Sequence, residues 1–164
     1  MKALLSQIAR HPGLAIMAPA LWALGTAMVA QHVFGLPPCE LCVWQRWPYV
    51  AAVALGLLAL VVPRGATFWL LLAAAAFATT SGVGVFHAGV EEGLWRGLES
   101  CSAISAPDSL EALKAEIMGT QPARCDQVPF SFLGLSIAGW NAVYAALAAL
   151  AMLAGAVARI RNTD

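Results

Sequence analysis

The chain has 164 residues and a formal net charge of zero, with 60% hydrophobic and only 11% charged residues, whereas an ordinary soluble domain is about a quarter charged. That composition excludes a soluble globule, and it offers no basic excess on which to expect a nucleic-acid partner.

Charges are absent from 11–39, 47–63, 65–90 and 127–158. A helix needs about 20 apolar residues to cross about 30 Å of hydrocarbon. Four spans are therefore predicted, at about 13–30, 43–62, 67–88 and 137–158, forming an all-α four-transmembrane-helix bundle in a single membrane domain, 1–164. The outer loops fall at about 31–42 and 89–136, and both carry cysteines.

The first segment, "MKALLSQIARHPGLAIMAPALWALG", has the basic start and the Ala18-Pro19-Ala20 triplet of a cleavable signal. Its apolar run exceeds the 7 to 15 residues of a signal core, and the triplet lies inside it. It reads as a retained span, kinked at Pro19, with neighbouring helices satisfying the freed carbonyl. Trp44, Trp47, Tyr49, Trp69, Trp140 and Tyr144 lie near span ends, as interfacial aromatics do.

Four spans put both termini on one side and the first and third loops on the other. Lys2, Arg10, Arg64, Arg159 and Arg161 fall on the terminal side, against Arg46, Arg96, Lys114 and Arg124 opposite. The bias sharpens when only short segments near span ends are counted, which places the termini in the cytoplasm. All four cysteines, Cys39, Cys42, Cys101 and Cys125, then lie on the outer side, where disulfides persist. Within the long third loop, "PDSLEALKAEIM" predicts a helix over 108–118, with Asp108 and Glu111 forming a capping box.

The stretch "PPCELCVWQR" carries the chemistry. A CxxC can ligate a metal, staple a loop or cycle between redox states. Zinc sites that use four cysteines pair them closely, whereas Cys101 and Cys125 are far apart, so no metal is expected. A structural disulfide sits below about −300 mV, about 180 mV beneath a strong oxidant, and that gap is roughly 8 kcal/mol for two electrons. A redox role therefore needs a stabilised reduced pair.

Cys42, at the start of the second span, meets the positive end of a helix dipole, and Arg46 lies one turn further on the same face. Lowering a thiol pKa by about three units supplies about 4 kcal/mol, or half the gap. Glu40, between the two cysteines, opposes the thiolate. Arg46 can also donate to a carbonyl oxygen of the kind a quinone presents. His87, near the outer end of the third span, is an ionisable residue at a depth similar to Arg46.

"QHVFGLPPCELCVWQR", "FHAGVEEGLWRGLESC" and "CDQVPFSFLGLSIAGWN" together resemble the disulfide bond formation protein B (DsbB) family over essentially the whole chain. The resemblance implies a multi-pass protein of the bacterial inner membrane with periplasmic cysteine loops. It implies a quinone-coupled thiol oxidase that reoxidises a periplasmic DsbA-type partner and reduces ubiquinone or menaquinone. By position, Cys101 would take the partner's attack in a mixed disulfide and Cys125 would be its pair. Cys39 would exchange with that pair, and Cys42 would pass electrons to quinone beside Arg46 and His87.

Two alternatives share the residues: a paralogue serving another dithiol partner, and a non-enzymatic scaffold stapled by disulfides. A quinone reductase of the vitamin K epoxide reductase type fits less well, because the CxxC precedes the spaced pair in this chain.

Overall fold

The computed structural model describes residues 7–8, 10–98, 109–111, 114, 118 and 123–161. Four helices are long and apolar enough to cross a membrane. They are α1, Pro12–His32; α2, Glu40–Val61; α3, Ala66–Glu91; and α4, Ile137–Arg161. A 3-10 turn, Pro63–Gly65, joins α2 to α3. A short antiparallel hairpin, β1 Ser131–Phe132 and β2 Leu135–Ser136, leads into α4.

The hairpin turns through Leu133 and Gly134, both with positive φ, as a two-residue turn of the I′ kind requires. Ser136 then caps α4, its hydroxyl accepting from Gly139 N at 3.1 Å. At the other end of the cysteine loop, α3 stops in a Schellman arrangement. Gly93 N donates to Val90 O and Leu94 N to Gly89 O, and Gly93 takes φ +70°. Trp95 folds back over Gly89, stacks on Phe86 and donates to Phe86 O at 2.7 Å.

Lipid chains are as apolar as leucine, so expelling apolar surface from water does not drive helices together within the bilayer; close packing does. The centre of the bundle is accordingly built from Ile16, Ala20, Ala52, Leu70, Ala73, Phe77, Ala145 and Ala156. α3 packs most extensively on α4, and α1 on α2. Gly13 faces Gly56 so closely that a Cβ at Gly56 would lie 2.9 Å from Gly13 O. A Cβ at Gly84 would meet Ala142 Cβ at 3.0 Å. Trp22, Trp47, Leu57 and Val61 are exposed on the bundle's outside, an arrangement that water would not tolerate and lipid does.

One aromatic departs from the interfacial reading. Tyr49 is buried, set edge-on against Phe77 with ring centroids 5.9 Å apart. Its hydroxyl has a polar partner inside the bundle, so the ring turns inward rather than to the interface. Tyr144 donates to the main-chain oxygen of Pro19 at 3.0 Å, tying α4 to the proline of α1.

Candidate active site

Helix α2 begins because Pro37 and Pro38 hold the preceding chain extended and Cys39, itself extended, supplies the cap. Cys39 Sγ accepts from Cys42 N at 3.3 Å. The helix therefore starts at Glu40 rather than Val43, and Cys42 sits inside its first turn, where the dipole acts. Glu40 occupies the first helical position, where a carboxylate is favourable.

Both cysteines are free thiols. Cys39 donates to Cys42 Sγ at 3.0 Å, so an intramolecular disulfide needs only a small approach of the two sulfurs. Cys39 is buried and Cys42 half-buried. The hydrogen bond to Cys42 and then burial push the Cys39 thiol well above the usual range, and the Glu91 charge adds to this.

His87 is buried on α3 with Nε2 3.5 Å from Cys39 Sγ and 3.8 Å from Glu91 Oε1. Its Nδ1 lies 2.9 Å from Gln45 Nε2. Gln45 is itself buried, one turn below Leu41, and its Nε2 also donates to Leu41 O at 3.3 Å. Gln45 Oε1 accepts from Asn141 Nδ2 at 2.6 Å, and Asn141 Oδ1 accepts from Tyr49 OH at 2.6 Å. Thr80 Oγ1 donates to Gln45 O at 2.7 Å. Ser136 closes the outer edge by donating to the Glu91 carboxylate. Three helices thus converge on one polar cluster beside the thiols.

Sequence reasoning singled out His87 and missed Gln45, Asn141, Thr80, Glu91 and Ser136. The available signal was an amide in each of two largely apolar spans, since polar groups within a membrane segment demand internal partners.

Arg46 projects elsewhere. Its Nη1 donates to Gln31 Oε1 of α1 at 2.8 Å, which anchors the guanidinium between α1 and α2 and leaves other N–H groups for a further acceptor. Cys125 is disulfide-bonded and fully buried. It clusters with Cys39, Leu41 and Val90, with Cys42 and Leu98 packed against them, and its main chain hydrogen-bonds His87. The fourth cysteine thus arrives beside the first two. Cys101 and most of the predicted 108–118 helix, Asp108 included, lie outside the described residues.

Two free thiols, a third half-cystine and a histidine at one buried point suit thiol–disulfide exchange, in which a thiolate must reach a disulfide sulfur. The ligand atoms of Cys39, Cys42 and His87 also lie within 4.8 Å of one another, a donor set of the kind a soft cation takes.

The family model for disulfide bond formation protein DsbB matches residues 9–155. The chain belongs to the DsbB family. A disulfide bond formation protein B of Marinobacter nauticus is 36% identical over 76% of this chain and 77% of its own. One of Verminephrobacter eiseniae is 34% identical over 80% and 76% respectively. An uncharacterized protein of Rickettsia prowazekii is 28% identical over 73% and 71%. No solved structure matches.

Family membership and four membrane-length helices make this a multi-pass membrane protein of disulfide bond formation, with disulfide oxidoreductase activity. The matched region contains the CxxC, His87, Cys101 and Cys125. Three of those four features meet in the buried cluster described above.

Proposed function

We propose that this DsbB-family protein reoxidises a DsbA-type dithiol partner outside the inner membrane and passes the electrons to membrane quinone. The reading takes the termini as cytoplasmic and the cysteine loops as periplasmic. The partner's thiolate attacks Cys101 in a Cys101–Cys125 disulfide, forming a mixed disulfide and releasing Cys125. Cys39 and Cys42 form the second pair, which exchanges with the first. Ubiquinone or menaquinone would supply the final acceptor of two electrons and two protons.

The observation that carries this reading is the asymmetry of the CxxC. Cys39 is buried against Cys125, and Cys42 is half-buried at the head of a membrane-spanning helix, with Arg46 one turn deeper. Such a pair can face a soluble disulfide system with one sulfur and a lipid-soluble acceptor with the other. The residues fit a quinone, because Arg46 keeps N–H groups for a carbonyl oxygen after its bond to Gln31, and Cys42 offers the reachable sulfur.

The test is quinone reduction by the purified protein supplied with a reduced DsbA-type oxidase. Turnover is expected from the natural protein, with a loss of about 10³-fold or more in Cys42→Ser or Cys101→Ser, as removal of an essential nucleophile produces. Arg46→Ala should raise the quinone KM more than it affects the partner's. Normal turnover in either cysteine variant overturns the relay.

A further inference from the structure

The buried amide chain has a direction, and the direction is fixed. An amide seen end-on can be turned over, exchanging N for O, unless one neighbour accepts only. Gln45 has such a neighbour. Its terminal nitrogen lies 3.3 Å from the main-chain oxygen of Leu41, and an amide oxygen placed there would oppose another oxygen in a buried site. With that orientation, Gln45 Oε1 receives Asn141 Nδ2, and Asn141 Oδ1 receives Tyr49 OH. Every link runs the same way: Tyr49 to Asn141 to Gln45 to His87.

At the end of that chain Gln45 Nε2 donates to His87 Nδ1 at 2.9 Å. Neutral imidazole carries one proton, so accepting at Nδ1 puts that proton on Nε2. Nε2 is the atom 3.5 Å from Cys39 Sγ. Among the described residues the Glu91 carboxylate, 3.8 Å from the same Nε2, also accepts, and the main chain of Cys125 reaches the ring as well.

We propose that Gln45 is a positioning residue that holds His87 as the Nε2–H tautomer, so that the ring donates a hydrogen bond to the Cys39 sulfur and does not act as its base. Cys39 S–H points to Cys42 Sγ. When Cys42 is a thiolate, passing that proton across leaves a Cys39 thiolate and a Cys42 thiol, with no change in electron count. The Nε2–H group is then in place to stabilise negative charge on the Cys39 sulfur, the one that leaves as a thiolate when a mixed disulfide with Cys125 is resolved. The same polarity removes the Nε2 lone pair that a metal would need, so a soft cation has two sulfurs here and no imidazole. The inference rests on the pair exchanging disulfides, and it is independent of the final electron acceptor.

The experiment is ¹⁵N NMR of reduced protein labelled at histidine, with His11 and His32 replaced by glutamine so that His87 alone reports. The expected spectrum shows Nδ1 as the unprotonated nitrogen and Nε2 as the protonated one. In Gln45→Met, which keeps an unbranched side chain but removes the donor, the Nδ1–H form should rise about tenfold, as loss of one buried hydrogen bond dictates. A protonated Nδ1 in the natural side-chain context overturns the proposal, and so does an unchanged tautomer in Gln45→Met. The natural spectrum decides even if that variant does not fold. No partner or quinone is present, so a failed relay and a failed tautomer assignment are separate results.

Discussion

The two ends of the bundle are held by opposite means. Around Gly13, Gly56 and Ala59, α1 and α2 touch through backbone and the apolar side chains of Met17 and Leu60, with no side-chain hydrogen bond there among the described residues. At the cysteine end, α2, α3 and α4 are joined by a run of hydrogen bonds through Tyr49, Asn141, Gln45 and His87. Steric seams tolerate no added atoms, whereas polar clusters tolerate no removed ones. The first end supplies rigidity and the second supplies chemistry, and each can be perturbed separately.

The largest effect is expected at the apolar seam. Gly56→Leu drives a side chain into Met17, whose Cγ would lie 2.3 Å from the new Cβ, and into the backbone of Gly13 at 2.9 Å. A side chain can move aside and a backbone cannot, so a destabilisation of about 3 kcal/mol or more follows. Unfolding in mixed micelles measures it. The Cys39–Cys42 equilibrium with glutathione in the molecules that remain folded should stay as it was. A shifted equilibrium would show that the two ends are coupled.

The next effect lies inside the CxxC. Cys39 is 5% exposed and its thiol is held protonated by its bond to Cys42 and by burial, while Cys42 is half-buried in the first helical turn. A soluble maleimide added to reduced protein near pH 7 should modify Cys42 about tenfold faster than Cys39, because the thiolate reacts and the thiol does not. Peptide mapping after short exposure gives the ratio. Equal rates would contradict the asymmetry on which the proposed direction of electron flow depends.

The spans, the CxxC and the family were legible in the sequence because their signals are local: charge-free runs, a two-residue spacing, motifs read in one pass. Tyr49 was not. A tyrosine seven residues after Cys42 reads as an interfacial anchor until Asn141, 92 residues away, is known to meet its hydroxyl. Gln45 and Asn141 are 96 residues apart, and only packing brings α2 and α4 together there. Glu40 looked like the charge acting on the thiols because it is adjacent in sequence. Glu91, adjacent in space, adds to the rise of the Cys39 thiol behind its bond to Cys42 and burial. The sequence places His87 at a depth similar to Arg46; in the fold its Nε2 lies 3.5 Å from Cys39 Sγ, while Arg46 bonds Gln31 of α1.

Tyr49→Phe tests the polar end more gently. The ring keeps its edge contact with Phe77, and only the bond to Asn141 Oδ1 is lost, leaving a buried acceptor short of a donor. The expected cost is about 1 kcal/mol, read as a small fall in the unfolding midpoint. A cost near that of Gly56→Leu would mean that the polar run also carries the fold, and the contrast between the two ends would fail.

The smallest effect is expected where a charge pair stands beside the chemistry without being buried in it. Arg124 grips Asp126 through two hydrogen bonds, 2.9 and 2.7 Å, next to Cys125. The guanidinium holds the Asp126 carboxyl below its usual range, through hydrogen bonding first and charge second. A carboxyl depressed in the folded state adds stability above its unfolded pKa and loses it as pH falls through the folded value. Asp126→Asn should therefore differ from the natural protein slightly at neutral pH and not at all below the carboxylate range. Both groups stand at the surface, where salt and water screen the pair, so thermal midpoints at two pH values should nearly coincide. A large loss at neutral pH alone would show that this pair holds the Cys125 segment against Cys39, which would make a surface ion pair part of the redox site.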